Sequence, residues 1–379
     1  MEIPVFKPLI ESSEFMAVNK ALEVGWLGMG AAVGEFEQQV SEFLGLTDRY
    51  AVALSTGHAA IHLGLILAGV GPGDEVITPS FNNIADFQAI LAVGATPVFC
   101  DILESTLCID VEKARTLITD KTKAIISMDY DCFLADHDAV QVLANQNNLR
   151  VIHDAAHSFG SSYKSKKIGT FSDMTMFSFD PVKTITCIDG GMLIVKTKEE
   201  VAQLHEMRLV GMAQPAKIMY QNQRAWTYDV NQLGFRYHMS NLHAMVGMSQ
   251  LLKIEEISSS RQQSCKLYNK LLESVNQIVI PKTDFHEITP FLYYIRVLNG
   301  KRQELRDFLK FHDVDTGIHW QPGHSFSLFK NVKRGDLTVT DEITLQILSL
   351  PLHSKMPDGD IIRICKLINE FFSEKSYNN

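Results

Sequence analysis

Residues 50–79 read YAVALSTGHAAIHLGLILAGVGPGDEVITP: a β-branched apolar run, a turn of small residues, a stretch of helical character, and a second apolar run. Tyr50–Leu54 has the length and composition of a buried strand, the segment after Gly57 has helical period, and Asp74–Pro79 returns to strand character. One βαβ unit opens here. Working outward, the alternation predicts a strand at Thr96–Asp101, a helix near Val111–Ile118, and a strand at Lys123–Met128. A helix near Asp136–Asn147 and a strand at Arg150–Asp154 follow. Such alternation predicts an α/β fold whose mostly parallel sheet is covered by helices on both faces.

Between Gly160 and Val195 the pattern shortens to strand-like pieces divided by Gly and Lys turns, which we expect to complete the large sheet. The stretch from Ser240 to about Val275 has few helix breakers and reads as a long helix bridging to a second unit. There the sequence predicts a strand at Leu292–Leu298, a helix at Arg302–Phe311, a strand at Thr316–Trp320 and two closing helices. The expected division is a large domain over 1–250 and a small C-terminal α/β domain over 251–379.

Charge and composition exclude several functions. With 44 acidic against 35 basic residues and a net charge of −9, the surface as a whole repels nucleic acid and anionic lipid, so a phosphate-bearing ligand must be captured locally. The segment MEIPVFKPLIESSEF lacks the basic flank and apolar run of a secretory signal, and no later segment approaches a membrane span. The six cysteines (100, 108, 132, 187, 265, 365) show no metal-ligand spacing and read as reduced thiols of a cytoplasmic protein.

Three segments carry chemistry. Ser55-Thr56-Gly57-His58 lies between a strand and a helix, where bare N–H groups and the helix dipole make a phosphate cradle; alone, such a turn is more often just a helix cap. Asp154, ending the strand Val151-Ile152-His153, puts a carboxylate where open α/β sheets bind ligands, although a capping role fits it equally well. Ser178 precedes Lys183 by five positions in an apolar segment, and a lysine so placed can lose its proton and attack carbonyls. A surface lysine is the plain alternative for Lys183 taken by itself. In this order the three suggest a pyridoxal 5′-phosphate (PLP) site.

At this point the chain resembles the DegT/DnrJ/EryC1/StrS sugar aminotransferases nearly end to end. The carriers are Gly25-Trp26-Leu27, Gly71-Pro72-Gly73-Asp74-Glu75-Val76, Gly94-Ala95-Thr96-Pro97-Val98-Phe99 and Asp154-Ala155-Ala156-His157. Phe177-Ser178-Phe179 with Lys183, and Leu350-Pro351-Leu352-His353, complete them. The resemblance implies fold type I: a large domain with a seven-stranded, mostly parallel sheet between helices, plus the smaller C-terminal domain. It implies that Lys183 is the lysine to which PLP attaches and the carrier of the transferred proton, and that Asp154 holds the pyridine nitrogen protonated. His157 would lie against the phenolic oxygen, Ala156 on one ring face, and Thr56, Gly57, His58 and Ser178 around the phosphate.

The resemblance also implies ping-pong transfer from L-glutamate, leaving 2-oxoglutarate, to a nucleotide-linked keto-deoxysugar, with the product used for surface polysaccharide such as lipopolysaccharide O-antigen. A 4-keto-6-deoxy sugar is the first reading and a 3-keto sugar the alternative. Related PLP-dependent dehydratases carry histidine where Lys183 stands, and a non-catalytic relative would have an eroded cofactor set. Trp26, His319 and His324 fall in regions that border the sugar-nucleotide pocket. Several positions depart from the family pattern: His58 replaces a threonine, Asn83 replaces an aromatic ring stacked on the cofactor, and Arg236 and His238 replace Asn and Arg. The Arg236 loop would reach the phosphate of a partner subunit, implying a homodimer with shared sites. Met128–Phe133 is the least familiar segment, standing where many members carry a His and a Gly-Gln-Pro stretch.

Overall fold

The computed structural model describes residues 2–213 and 216–374. Seven strands form the main sheet: β1 (Tyr50–Leu54), β2 (Glu75–Pro79), β3 (Thr96–Cys100), β4 (Thr122–Met128), β5 (Arg150–Asp154), β6 (Met174–Ser178) and β7 (Gly191–Val195). Their spatial order is β1-β7-β6-β5-β4-β2-β3. The run β6-β5-β4-β2-β3 is parallel, and β7 is antiparallel to both β1 and β6. Six strands therefore deliver their carboxyl ends to one edge of the sheet, where ligands of open α/β sheets bind.

The two-residue strand period decides what each face buries. Val52, Leu54, Met176, Leu193 and Val195 pack on one side with Ile61, Leu63 and Leu65 of the helix Gly57–Leu67. Ala53, Phe177, Met192 and Ile194 face the other side, against Val33, Phe36 and Val40 of the helix Ala31–Leu44. Each of these side chains is wholly buried, worth about 1.5–3 kcal/mol for the larger aliphatic ones. Both faces of the sheet are thus covered, as the βα alternation predicted.

Of the short strands expected after Gly160, only β6 and β7 join the sheet; Ser162–Tyr163 and Lys166–Lys167 pair with each other as a separate hairpin. The expected long helix is two, Asn241–Leu251 and Ile254–Leu272, with Lys253 at the break. Lys253 Nζ reaches Glu14 Oε1 at 2.7 Å, so the break is tied to the N-terminal helix Ser12–Val24. Beyond it, Ile278–Val279, Tyr293–Val297 and Ile347–Leu350 form an antiparallel sheet. Its core includes Cys265, Tyr268, Leu305, Ile364 and Ile368, and the strand Ile347–Leu350 between the closing helices is one the sequence reading did not expect.

Thr316–Trp320 is not the predicted strand. Only Gly317 pairs, exchanging 3.0 and 2.9 Å hydrogen bonds with Ser349, and Trp320 turns into the cavity wall instead of continuing a ladder. No helix among the described residues is long and apolar enough to cross a membrane.

Candidate active site

A cavity of about 350 Å³ opens at the carboxyl edge of the sheet. Thr56, Gly57, His58, Asn83, Asp154, Ala156, His157, Ser178 and Lys183 all line it, so nine of the proposed site residues converge from five segments. The strand ends explain the convergence: β1 runs into Thr56, β5 into Asp154 and β6 into Ser178.

Thr56 caps the helix Gly57–Leu67 with its hydroxyl, which accepts the Ala59 N–H at 3.0 Å. The amides of Gly57 and His58 are first-turn groups with no intrahelical acceptor and lie at the positive end of the helix dipole. Close approach requires the glycine: a Cβ on Gly57 would sit 2.9 Å from Ser178 Cβ and 3.1 Å from its Oγ. Two amides, the Ser178 hydroxyl and this narrow gap form a cradle of donors that fits a phosphate.

Lys183 follows β6 through a tight turn, in which Asp180 Oδ1 accepts the Val182 N–H at 3.1 Å and the Asp180 carbonyl accepts the Lys183 N–H at 3.0 Å. The amine lies 4.3 Å from the centre of the Phe291 ring. Burial pulls its pKa down from the ordinary lysine value, against the charges of Asp154, Asp180, Asp131 and Asp86. A readily deprotonated amine is what attack on a carbonyl requires.

Asp154 accepts the Ala156 N–H at 3.0 Å and faces a second buried carboxyl, Asp86, within hydrogen-bond reach. Burial and the Asp154 charge push the Asp86 pKa well up, and burial raises that of Asp154 as well. Asn82 Nδ2 donates to Asp86 Oδ2 at 2.6 Å. Sequence reading passed over Asp86 because an acid in the first turn of the helix Ile84–Ala92 looks like ordinary dipole compensation.

His157 packs against Phe291 and Trp320, both of which also line the cavity and neither of which was singled out from sequence. Behind it, Asp129 accepts from Ser158 Oγ at 2.6 Å, His153 Nε2 at 2.6 Å and the Ala135 amide at 3.0 Å. With His137 Nε2 3.0 Å away, Asp129, His137 and His153 form a buried group with three potential metal donors within 4.8 Å. Burial raises the Asp129 pKa, yet the two histidines hold it well below the usual carboxylate range.

Four proposed residues lie elsewhere in this chain. Arg236 and Trp26 line a second cavity of about 400 Å³ with Arg224 and His238. Trp26 Nε1 donates to the Met29 carbonyl at 2.8 Å, and Arg236 is exposed. His324 is held between Ser80 Oγ (2.8 Å) and Asp341 (2.9 Å). His319 Nδ1 is 2.9 Å from Ser349 Oγ, and burial with the nearby Lys183 charge brings its pKa to about 4.

This fold and cavity are those of a fold type I, PLP-dependent aminotransferase. The model of the DegT/DnrJ/EryC1/StrS aminotransferase family matches residues 8–369, and the chain belongs to that family of sugar aminotransferases. It is 32% identical over 374 residues to a GDP-perosamine synthase of Escherichia coli O157:H7, covering 98% of this chain and 99% of that one. It is also 32% identical over 387 residues, with 98% and 99% coverage, to a UDP-4-amino-4-deoxy-L-arabinose–oxoglutarate aminotransferase of Shewanella sediminis. Among solved structures, the PLP form of the sugar aminotransferase Spr1654 from Streptococcus pneumoniae superposes with a TM-score of 0.86. It shares 26% identity over 97% of each chain.

Proposed function

We propose that this protein transfers an amino group from L-glutamate to the keto group of a nucleotide-linked deoxysugar, with a 4-keto-6-deoxy sugar as acceptor, in the cytoplasm and toward surface polysaccharide. The observation that carries the reading is one cavity holding a buried lysine amine, a strand-end carboxylate and a narrow donor cradle. The relative named for a 4-amino-4-deoxy sugar and oxoglutarate supports both the C4 position and the donor.

PLP supplies an electron sink and a carrier for the amino group. The Gly57 and His58 amides, Thr56 and Ser178 would hold its phosphate, Asp154 would keep its ring nitrogen protonated, Ala156 and Asn83 would flank its ring, and His157 would meet its phenolic oxygen. Lys183, with its pKa lowered by burial, would anchor the group and carry a proton to and from the substrate carbon. Trp26, His319 and His324 border the sugar-nucleotide path.

Among the described residues, Lys183 is the only lysine or arginine lining the cavity, which leaves a doubly charged phosphate short of cations. The exposed Arg236 completes it from a partner subunit, so the sites are shared in a homodimer. Trp226, 89% exposed near Arg236, supplies apolar surface for that contact. The test is to supply PLP and L-glutamate, follow 2-oxoglutarate release, and compare nucleotide-linked 4-keto and 3-keto deoxysugars as acceptors. Turnover with neither acceptor, or only with the 3-keto sugar, would overturn the proposal.

A further inference from the structure

The segment Met128–Phe133 has no role in the reading above, yet its centre is built into the site. Asp131 has φ 51°, the left-handed region that non-glycine residues other than Asn and Asp avoid. A turn holds it there: Tyr130 and Phe133 exchange backbone hydrogen bonds of 3.0 and 2.9 Å. That turn aims the Asp131 carboxyl inward, where its Oδ1 lies 3.0 Å from His157 Nδ1 with both side chains buried. Among the described residues, neither Asp131 oxygen nor His157 Nδ1 has an aligned hydrogen-bond partner. The Tyr130 hydroxyl, which also faces Asp131, donates to the His319 carbonyl. With Nδ1 turned toward Asp131, the Nε2 edge of His157 is left for the cavity that the ring lines.

We propose that Asp131 is a positioning residue: it shares one proton with His157 Nδ1 and so fixes Nε2 as an N–H donor to the phenolic oxygen of PLP. The inference rests on the reading that this cavity holds PLP. The chemistry is a count of protons. Whether the shared proton sits on Oδ1 or on Nδ1, Nε2 keeps its own hydrogen. Without the carboxyl, the imidazole is free to turn a lone pair toward a phenolate, which repels it.

Burial raises the Asp131 pKa and lowers that of His157. The other groups acting on the pair are Lys183 on both members, Tyr130 on Asp131, and His319 and Asp129 on His157. None of them replaces the contact at Nδ1.

The test uses the PLP-loaded protein and follows its visible absorbance against pH. A donor on the phenolic oxygen stabilises that oxygen's anion and lowers the pH midpoint of the lysine-bound chromophore. Asp131→Ala should raise the midpoint by about one pH unit and weaken PLP affinity about tenfold, the size of one lost hydrogen bond to a charged group. Asp131→Asn should stay near wild type, because its amide N–H can donate to Nδ1 in place of the carboxyl proton and asparagine tolerates the left-handed backbone.

In a His157→Gln background, Asp131→Ala should no longer move the midpoint. An unmoved midpoint in Asp131→Ala, or a shift that persists in the His157→Gln background, would overturn the proposal. Should Asp131→Ala fail to fold, the ¹⁵N NMR shifts of His157 in wild-type protein decide: the Nδ1-protonated tautomer refutes the assignment and an Nε2–H supports it. That measurement also separates the two readings. A wild-type protein that takes up no PLP refutes the cofactor reading, while the NMR shifts still report on the Asp131 pair.

Discussion

Gly57→Ala probes the cradle with a single methyl group. Its Cβ would lie 2.9 Å from Ser178 Cβ, 3.1 Å from Ser178 Oγ and 3.3 Å from Met176 Sδ. The optimal carbon–carbon separation is about 3.5–4.0 Å, so one side must move by more than half an ångström. Neither side is loose. Ser178 is registered against Gly191 in the sheet, and Gly191 is itself pressed on the chain before the helix, where a Cβ would meet the Thr56 carbonyl oxygen at 2.2 Å.

Overpacking of this kind costs about 1–3 kcal/mol. Alanine's better helix propensity returns up to about 1 kcal/mol, so the protein should still fold. The larger effect falls on the ligand, because the strain splays the Gly57 amide and Ser178 hydroxyl that converge on one phosphate. Losing one hydrogen bond to a charged group costs about 1.5–3 kcal/mol, or roughly tenfold to hundredfold in affinity. PLP titration followed by absorbance, alongside melting of the cofactor-free protein, measures the two effects separately. Wild-type PLP affinity in Gly57→Ala would refute the cradle.

Lys183→Ala should fold, hold PLP only non-covalently and lose turnover; retained transamination would remove the central claim. Mixing Lys183→Ala with Arg236→Ala should restore activity above that of either variant alone, because one site in each mixed dimer is intact; mixed dimers without such a gain would rule out shared sites. Glu14, beside Lys253, titrates at about 2 in the folded protein against an ordinary value of 4.5. A depressed carboxyl stabilises the fold fully above pH 4.5 and loses that contribution as pH falls toward 2. The Tm of wild type should therefore drop more steeply over that window than the Tm of Glu14→Gln, and parallel slopes would contradict the assignment.

Much of the fold was legible because the parallel strands are buried on both faces and therefore read as apolar runs: Arg150–Asp154 was bounded to the residue, and β1 to β4 to within one. What failed was decided by distant partners. Ser162–Tyr163 and β6 look alike in sequence, yet only β6 meets a neighbour in the main sheet. Thr316–Trp320 has strand composition but lends Gly317 to a bridge and Trp320 to the cavity wall. In the site, residues at strand ends were found from sequence. Those reaching the cavity from elsewhere, among them Phe291, Trp320 and Asp86, carry no local mark of function.

The departures at His58 and Asn83 are best understood together. His58 Nδ1 donates to the Ala85 carbonyl at 3.0 Å and Asn83 Oδ1 accepts the Ala85 N–H at 2.9 Å, so both side chains fasten the first turn of the helix Ile84–Ala92. That turn carries Asp86, which Asn82 holds from the opposite side while it faces Asp154. The His58 change leaves its backbone amide in the cradle, since the imidazole is engaged elsewhere. The Asn83 change exchanges a stacking surface for a helix cap. Both side chains thereby help place Asp86, whose pKa burial and the Asp154 charge push well up, beside Asp154. A second charge in so dry a place would be costly without a further cation, and Lys183 is already shared among four acids.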